Sequence, residues 1–84
     1  MVKSENLKAA RALCSMTQEE AGKMLGISKE TYRNKERGKC NFSPKEISML
    51  CWRFGWNYRT MNETFFGGEL PNFFAQEVPF GITK

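Results

Sequence analysis

Between positions 29 and 39 the chain places Lys29, Arg33, Lys35, Arg37 and Lys39 against only Glu30 and Glu36, with Tyr32 and Asn34 among them. These residues do not make or break covalent bonds; they donate and accept hydrogen bonds. Lysine and arginine offer donors only, a carboxylate acceptors only, and asparagine both. So dense a run of cations suits contact with a polyanion. Little else in the sequence could do other chemistry. There is no histidine, the commonest general base and metal ligand. Cys14, Cys40 and Cys51 lie 26 and 11 positions apart with no C-x-x-C, so neither a disulfide framework nor a zinc site is expected. The glutamates fall at helix starts, where capping and the helix dipole account for them. Gly67 and Gly68 stand alone, without the glycine-rich pattern of a phosphate loop. An enzyme is not expected, nor a cofactor, a bound metal or a small-molecule substrate.

Two short helices meeting at a sharp turn would position the basic run. Thr17 followed by Glu20 forms a capping box, so a helix starts at Gln18. Ala21, Met24 and Leu25 then share one face. Gly26 ends that helix in the left-handed conformation, Ile27 is a single apolar plug, and Ser28 caps a second helix over 29–37. Helix, glycine turn, plug, cap and helix make a helix-turn-helix pattern. Apart from Tyr32 the second helix has little apolar surface. A helix that polar faces solvent or touches something polar and charged, and in this position the second option is a DNA major groove.

The run resembles the Cro/repressor-type helix-turn-helix family, the lambda-repressor-like or XRE family, over about two thirds of the chain. Thr17, Gln18, Glu20, Leu25-Gly26-Ile27-Ser28 and Glu36-Arg37-Gly38-Lys39 carry the resemblance. Tyr32, Lys35-Glu36, Gly38, Phe42 and Glu46 are similar to small regulators of bacterial phages. Two positions depart: members usually carry a larger apolar residue at Ala21 and alanine at Gly22. A mid-helix glycine costs about 1 kcal/mol relative to alanine, so close approach of another segment must compensate at Gly22.

Major-groove base edges are read by side chains near the start of the second helix and one turn later, which selects Lys29, Glu30, Arg33 and Asn34. The resemblance implies base contacts at Lys29, Glu30 and Asn34, with Arg33 serving a base or a phosphate. Lys29 or Arg33 suits guanine O6 and N7, Asn34 suits adenine N6 and N7, and Glu30 a cytosine amino group. Stabilisation of the helix dipole is the competing role for Glu30. Phosphates are met by unpaired N–H groups at helix starts, so Thr17 and Gln18 lead the backbone contacts, followed by Ser28, Arg37, Lys39 and Asn41. Tyr32 is expected to turn its ring inward. Lys35 is expected to lay its stem on the core and expose its amine.

Elsewhere, Ser4 is placed to cap a first helix over 5–14, with Leu7, Ala10, Leu13 and Cys14 as its buried stripe and Lys8 and Arg11 facing solvent or a phosphate. Phe42 is expected under the loop after Gly38. Ser43-Pro44-Lys45-Glu46 starts a helix running to Phe54, with Ile47, Leu50, Cys51 and Phe54 inward. Asn57 caps a fifth helix over 58–65. From Gly67 the helical period stops, yet Phe73, Phe74, Val78, Phe80 and Ile82 follow, more apolar than a disordered tail. The fold expected is all-α: a five-helix lambda-repressor-like helix-turn-helix domain over 1–66 with an extended aromatic C-terminal tail over 67–84.

Of the net charge of +4, ten Lys and Arg against five Glu lie in 1–45, and three against four in 46–84, which points the basic half at a polyanion. No apolar run is long enough to span a membrane and no signal-peptide pattern is present; the cysteine pattern fits a reducing cytoplasm, and the resemblance implies that of a bacterial cell or phage-infected host. The partner expected is double-stranded DNA, bound by a homodimeric, phage-type transcriptional repressor. An antitoxin-like module whose tail binds a partner protein is the alternative. The dimer surface should lie away from the basic helix. Trp52, Trp56, Phe66, Phe73, Phe74 and Phe80 are its candidates, because they exceed what a core of this size needs; the alternative is that the tail folds back onto its own domain and enlarges a marginal core.

Overall fold

The computed structural model describes residues 2–71. Five helices follow in order: α1 Ser4–Leu13, α2 Gln18–Leu25, α3 Lys29–Glu36, α4 Pro44–Phe54 and α5 Tyr58–Phe66. The starts are set where the sequence signals them. Thr17 and Ser43 each accept the N–H of the third helical residue, and Glu20 and Glu46 return the bond to the cap residue's own N–H. Ser28 and Asn57 cap α3 and α5 through single side-chain bonds to Thr31 and Thr60. Losing such a cap typically costs about 1 kcal/mol.

Leu7, Ala21, Tyr32, Phe42, Ile47, Leu50, Cys51, Met61 and Phe65 form one core drawn from all five helices and the loop before α4. Phe42 is its aromatic centre, edge-on to Tyr32 at 5.9 Å and to Phe65 at 5.5 Å. Each such pair adds about 0.5–1.5 kcal/mol beyond the area it buries. Burial in this core pushes the Cys51 thiol up to about 12, so it is an inert core residue. Two polar side chains join the apolar ones on α5: Asn62 and Thr64, the latter taking a hydrogen bond from Asn6 at 2.9 Å.

Several expectations are corrected. Ser4 lies inside α1 and caps nothing; its hydroxyl donates to the carbonyl of Glu36, and Lys3 occupies the cap position without a side-chain bond. Leu13 has the right spacing for the stripe but is 88% exposed. It is the last residue of α1, and the chain reverses just beyond through Ser15, at φ 52°, so no element covers it. Cys14 is half-buried, its sulfur 3.3 Å from the Arg53 guanidinium. Helix α3 stops at Glu36, with Arg37 as its cap.

Arg11 faces neither solvent nor a free phosphate site. Its Nε and Nη2 grip both carboxylate oxygens of Glu36 at 3.0 Å each, and its Nη1 reaches the Met16 carbonyl at 3.1 Å. Glu36 is fully buried, and a buried carboxylate has to be paired. Lys35 does not expose its amine either; its Nζ lies 2.7 Å from Glu46 Oε1. Burial pushes the Glu46 carboxyl up, but hydrogen bonds from Lys35 and Ser43 outweigh that and hold it below the usual carboxylate range.

Candidate nucleic-acid interface

The seating of α3 on α2 is decided by backbone. A Cβ built on Gly22 would lie 2.9 Å from the Ile27 carbonyl oxygen and 3.1 Å from that of Ser28. The Ile27 N–H bonds the Gly22 carbonyl at 2.9 Å, and Gly26 closes α2 at φ 77°, a conformation natural only to glycine. The expected close approach at Gly22 is therefore the turn itself. It brings the start of α3 directly onto the body of α2.

Helix α3 is divided along its length. Tyr32, Lys35 and Glu36 point into the domain and are covered or paired. Tyr32 packs inward as expected. Its hydroxyl makes no hydrogen bond among the described residues, and burial together with the nearby Glu36 charge raises its pKa. On the other side Lys29, Glu30, Arg33 and Arg37 are exposed and Asn34 is half-buried. Positions 29, 33 and 37 are successive turns of one stripe, with 30 and 34 beside it. Among the described residues Lys29, Arg37 and Lys39 form no ion pair, while Arg33 lies 3.7 Å from Glu30 with both side chains largely in solvent. Such a pair is worth no more than about 1 kcal/mol and opens easily. An arriving anion can therefore compete for all four cations.

The backbone candidates separate into two kinds. Thr17 and Ser28 are exposed, but their hydroxyls are engaged: Thr17 Oγ1 takes the Glu20 N–H at 3.0 Å, and Ser28 Oγ takes the Thr31 N–H while donating to Thr31 Oγ1 at 2.9 Å. What these positions present outward is the helix start, where first-turn N–H groups precede the helical ladder. Gln18 is half-buried in the first turn of α2, whereas Arg37, Lys39 and Asn41 offer exposed side chains. The Lys39 N–H bonds the Asn34 carbonyl at 2.9 Å, so the start of the loop carrying Lys39 and Asn41 is tied to the C-terminal end of α3.

Of the candidates for a self-contact surface, the three described ones, Trp52, Trp56 and Phe66, line separate recesses. Trp52 is 65% exposed and lines a shallow recess with Met24, Ser48, Met49 and Arg53. Trp56 is half-buried, stacked at a tilt against Phe54 at 5.3 Å and Phe65 at 6.1 Å. Phe66 is half-buried on a different side, packed against the core. Phe73, Phe74 and Phe80, like Val78 and Ile82, lie outside the described residues.

The described part of the chain has no cluster of residues able to hold a metal and no helix long and apolar enough to cross a membrane. A family model described as helix-turn-helix matches residues 7–51, which is 45 of the 84 residues. No curated protein and no solved structure matches the chain.

Proposed function

The chain belongs to the helix-turn-helix family of DNA-binding transcription regulators, and on that premise we propose that it is a sequence-specific, phage-type repressor that reads the major groove with α3. The observation that carries this reading is the division of α3. Its inner side is fully occupied by the domain, while its outer side presents three cations on successive turns beside an asparagine. In this reading Lys29 and Arg33 address guanine, Asn34 adenine and Glu30 a cytosine amino group. The helix starts at Thr17, Gln18 and Ser28 receive phosphates through their N–H groups, and Arg37, Lys39 and Asn41 flank them with side chains.

A single module of this size covers only a few base pairs, so the reading includes a two-fold homodimer on paired half-sites. Trp52, exposed on α4, is the described candidate best placed to contribute to that contact. Selection of preferred duplexes from a random DNA pool tests the whole reading. The expected product is a two-fold-symmetric site with half-site centres about one helical turn apart, bound with steep salt dependence. If no duplex is enriched and binding ignores salt, the reading fails in favour of a module that binds a partner protein.

A further inference from the structure

Helix α3 is held at its two ends by different means. At its start, the main chain of the turn lies against Gly22 of α2. At its finish, the last four carbonyls have no partner within the helix and need donors from elsewhere. Three are met by the chain that follows. The N–H groups of Arg37, Lys39 and Gly38 bond the carbonyls of Arg33, Asn34 and Lys35 at 3.0, 2.9 and 3.1 Å, and Gly38, at φ 87°, closes a Schellman turn. Such a turn holds no donor for the fourth carbonyl, that of Glu36. The Ser4 hydroxyl supplies it, from 32 residues earlier in the chain.

Ser4 is one of three consecutive residues that bind three different parts of the domain. Val2 lays its side chain over Gly38, where a Cβ would stand 3.4 Å from the Val2 Cγ1. The Lys3 N–H bonds the Thr64 carbonyl of α5 at 2.6 Å, and Asn6 Nδ2 donates to the Thr64 hydroxyl at 2.9 Å. Thr64 is fully buried, so this anchorage on α5 lies inside the domain. Ser4, Leu7 and Arg11 share one side of α1, and the two polar ones address the same residue. Ser4 donates to the main-chain carbonyl of Glu36, and Arg11 to both oxygens of its carboxylate. Helix α1 is therefore a strut that carries the far end of α3 on α5.

We infer that Ser4 is a positioning residue for DNA recognition, acting through the Glu36 carbonyl; this rests on the reading of α3 proposed above. Arg11 fixes the Glu36 side chain, which turns about its own bonds, whereas Ser4 holds the main chain itself. The eight residues of α3 span about 12 Å. A tilt of about 5° around the Gly22 contact moves the far end by about 1 Å, enough to spoil the geometry of a hydrogen bond. Lys29 lies at the end seated on α2 and hardly moves. Asn34, Arg37 and Lys39 lie toward the end that Ser4 secures. A side chain as short as that of Asn34 has no spare reach, so losing the Ser4 hydroxyl acts first on what position 34 contacts.

Duplex affinities of the full chain test this, with Ser4→Ala, Ser4→Thr, and Asn34→Ala made in both the parent and the Ser4→Ala background. Ser4→Ala should bind the preferred duplex about two- to tenfold more weakly, the worth of one net hydrogen bond, with little loss on unrelated DNA. Ser4→Thr keeps the hydroxyl and should bind as the parent does. Asn34→Ala should cost less in the Ser4→Ala background than in the parent, while Lys29→Ala costs the same in both. Equal loss on both duplexes, additive losses at Ser4 and Asn34, or the same loss with threonine as with alanine would overturn the inference. Amide hydrogen exchange in the free protein separates it from the reading it rests on. With Ser4→Ala the Gly38 and Lys39 amides should exchange faster, and those within α5 as before. A parent chain that selects no duplex sinks the DNA reading; unchanged exchange at Gly38 and Lys39 sinks the inference, whatever the DNA result.

Discussion

On the inner face of α3, Lys35 and Glu36 are neutralised at short range by Glu46 and Arg11 inside the domain. On the outer face, Lys29 and Arg37 have no partner among the described residues, and Arg33 has only a loose one. Nine consecutive residues, 29–37, thus hold charges of the same types in two electrostatic settings. Inside, the low dielectric makes each pair strong and each unpaired member costly. Outside, water screens the cations until a polyanion displaces its counterions. The difference teaches that charge on one helix is not one quantity. Inner charges fix where the helix sits, and outer charges are what it has to offer.

The largest effect should come from breaking the inner face. Glu36→Gln leaves the Arg11 guanidinium without its carboxylate, and removal of one partner from a buried pair costs about 3–5 kcal/mol. The melting temperature, followed by circular dichroism, should fall by more than about 10 °C. Replacing both partners, Arg11→Met with Glu36→Leu, should recover most of the loss. Failure of the double variant to recover would mean that the pair specifies the α1–α3 geometry beyond its own energy.

Next in size is Lys35→Met, which removes a charge-assisted bond worth about 1.5–3 kcal/mol at neutral pH. Its signature is pH dependence. The Glu46 carboxyl is held below the usual range in the folded state, so its contribution is fully present above the unfolded value, about 4.3. That contribution is lost as pH falls through the lower folded value. Urea titrations across the acid range should therefore show a shallower loss of stability in the variant than in the parent. DNA affinity of the folded variant should keep its salt slope.

The outer face should answer in the opposite way. Asn34→Ala should cost about 1–3 kcal/mol of binding on the preferred duplex and little on unrelated DNA, with the unfolding midpoint almost unmoved. Equal loss on both duplexes would make Asn34 a positioning residue. Lys39→Ala should weaken all duplexes alike and reduce the slope of log K against log salt by about one unit; an unchanged slope would place Lys39 in solvent. The smallest effect belongs to Tyr32→Phe. It removes a buried hydroxyl that lies against the Arg11–Glu36 pair without a well-formed hydrogen bond among the described residues, so denaturant unfolding should shift by less than about 1 kcal/mol.

The helix starts and the turn between α2 and α3 were legible in the sequence because their rules are local. Thr17 with Glu20, Ser43 with Glu46, and Gly26 each act within four residues, and each stands in the structure where the spacing put it. The inward turn of Tyr32 was implied by the family resemblance, in which that position is usually apolar, and the burial of Phe42 was expected as well. The inner pairs were not. Arg11 and Glu36 are 25 residues apart, and a charge in the core looks like a charge on the surface to any pattern of hydrophobicity. One signal was available: Glu36 lies one turn after Tyr32, on the same inward stripe. Leu13 misled for the opposite reason. Periodicity gives the face a residue occupies and says nothing of whether another element reaches that far along the helix.

The contact at Gly22 carries a different kind of consequence. Because main chain meets main chain there, the tilt between α2 and α3 does not depend on which side chains the two helices display. Residues on the exposed stripe of α3 can be exchanged without re-aiming the helix, so the alphabet of that stripe is free to change while its posture is inherited. A methyl group at position 22 reverses that independence. It would wedge the turn away from α2 and alter the angle of approach at every outward position together, a change in how the molecule addresses DNA and not in what it asks for.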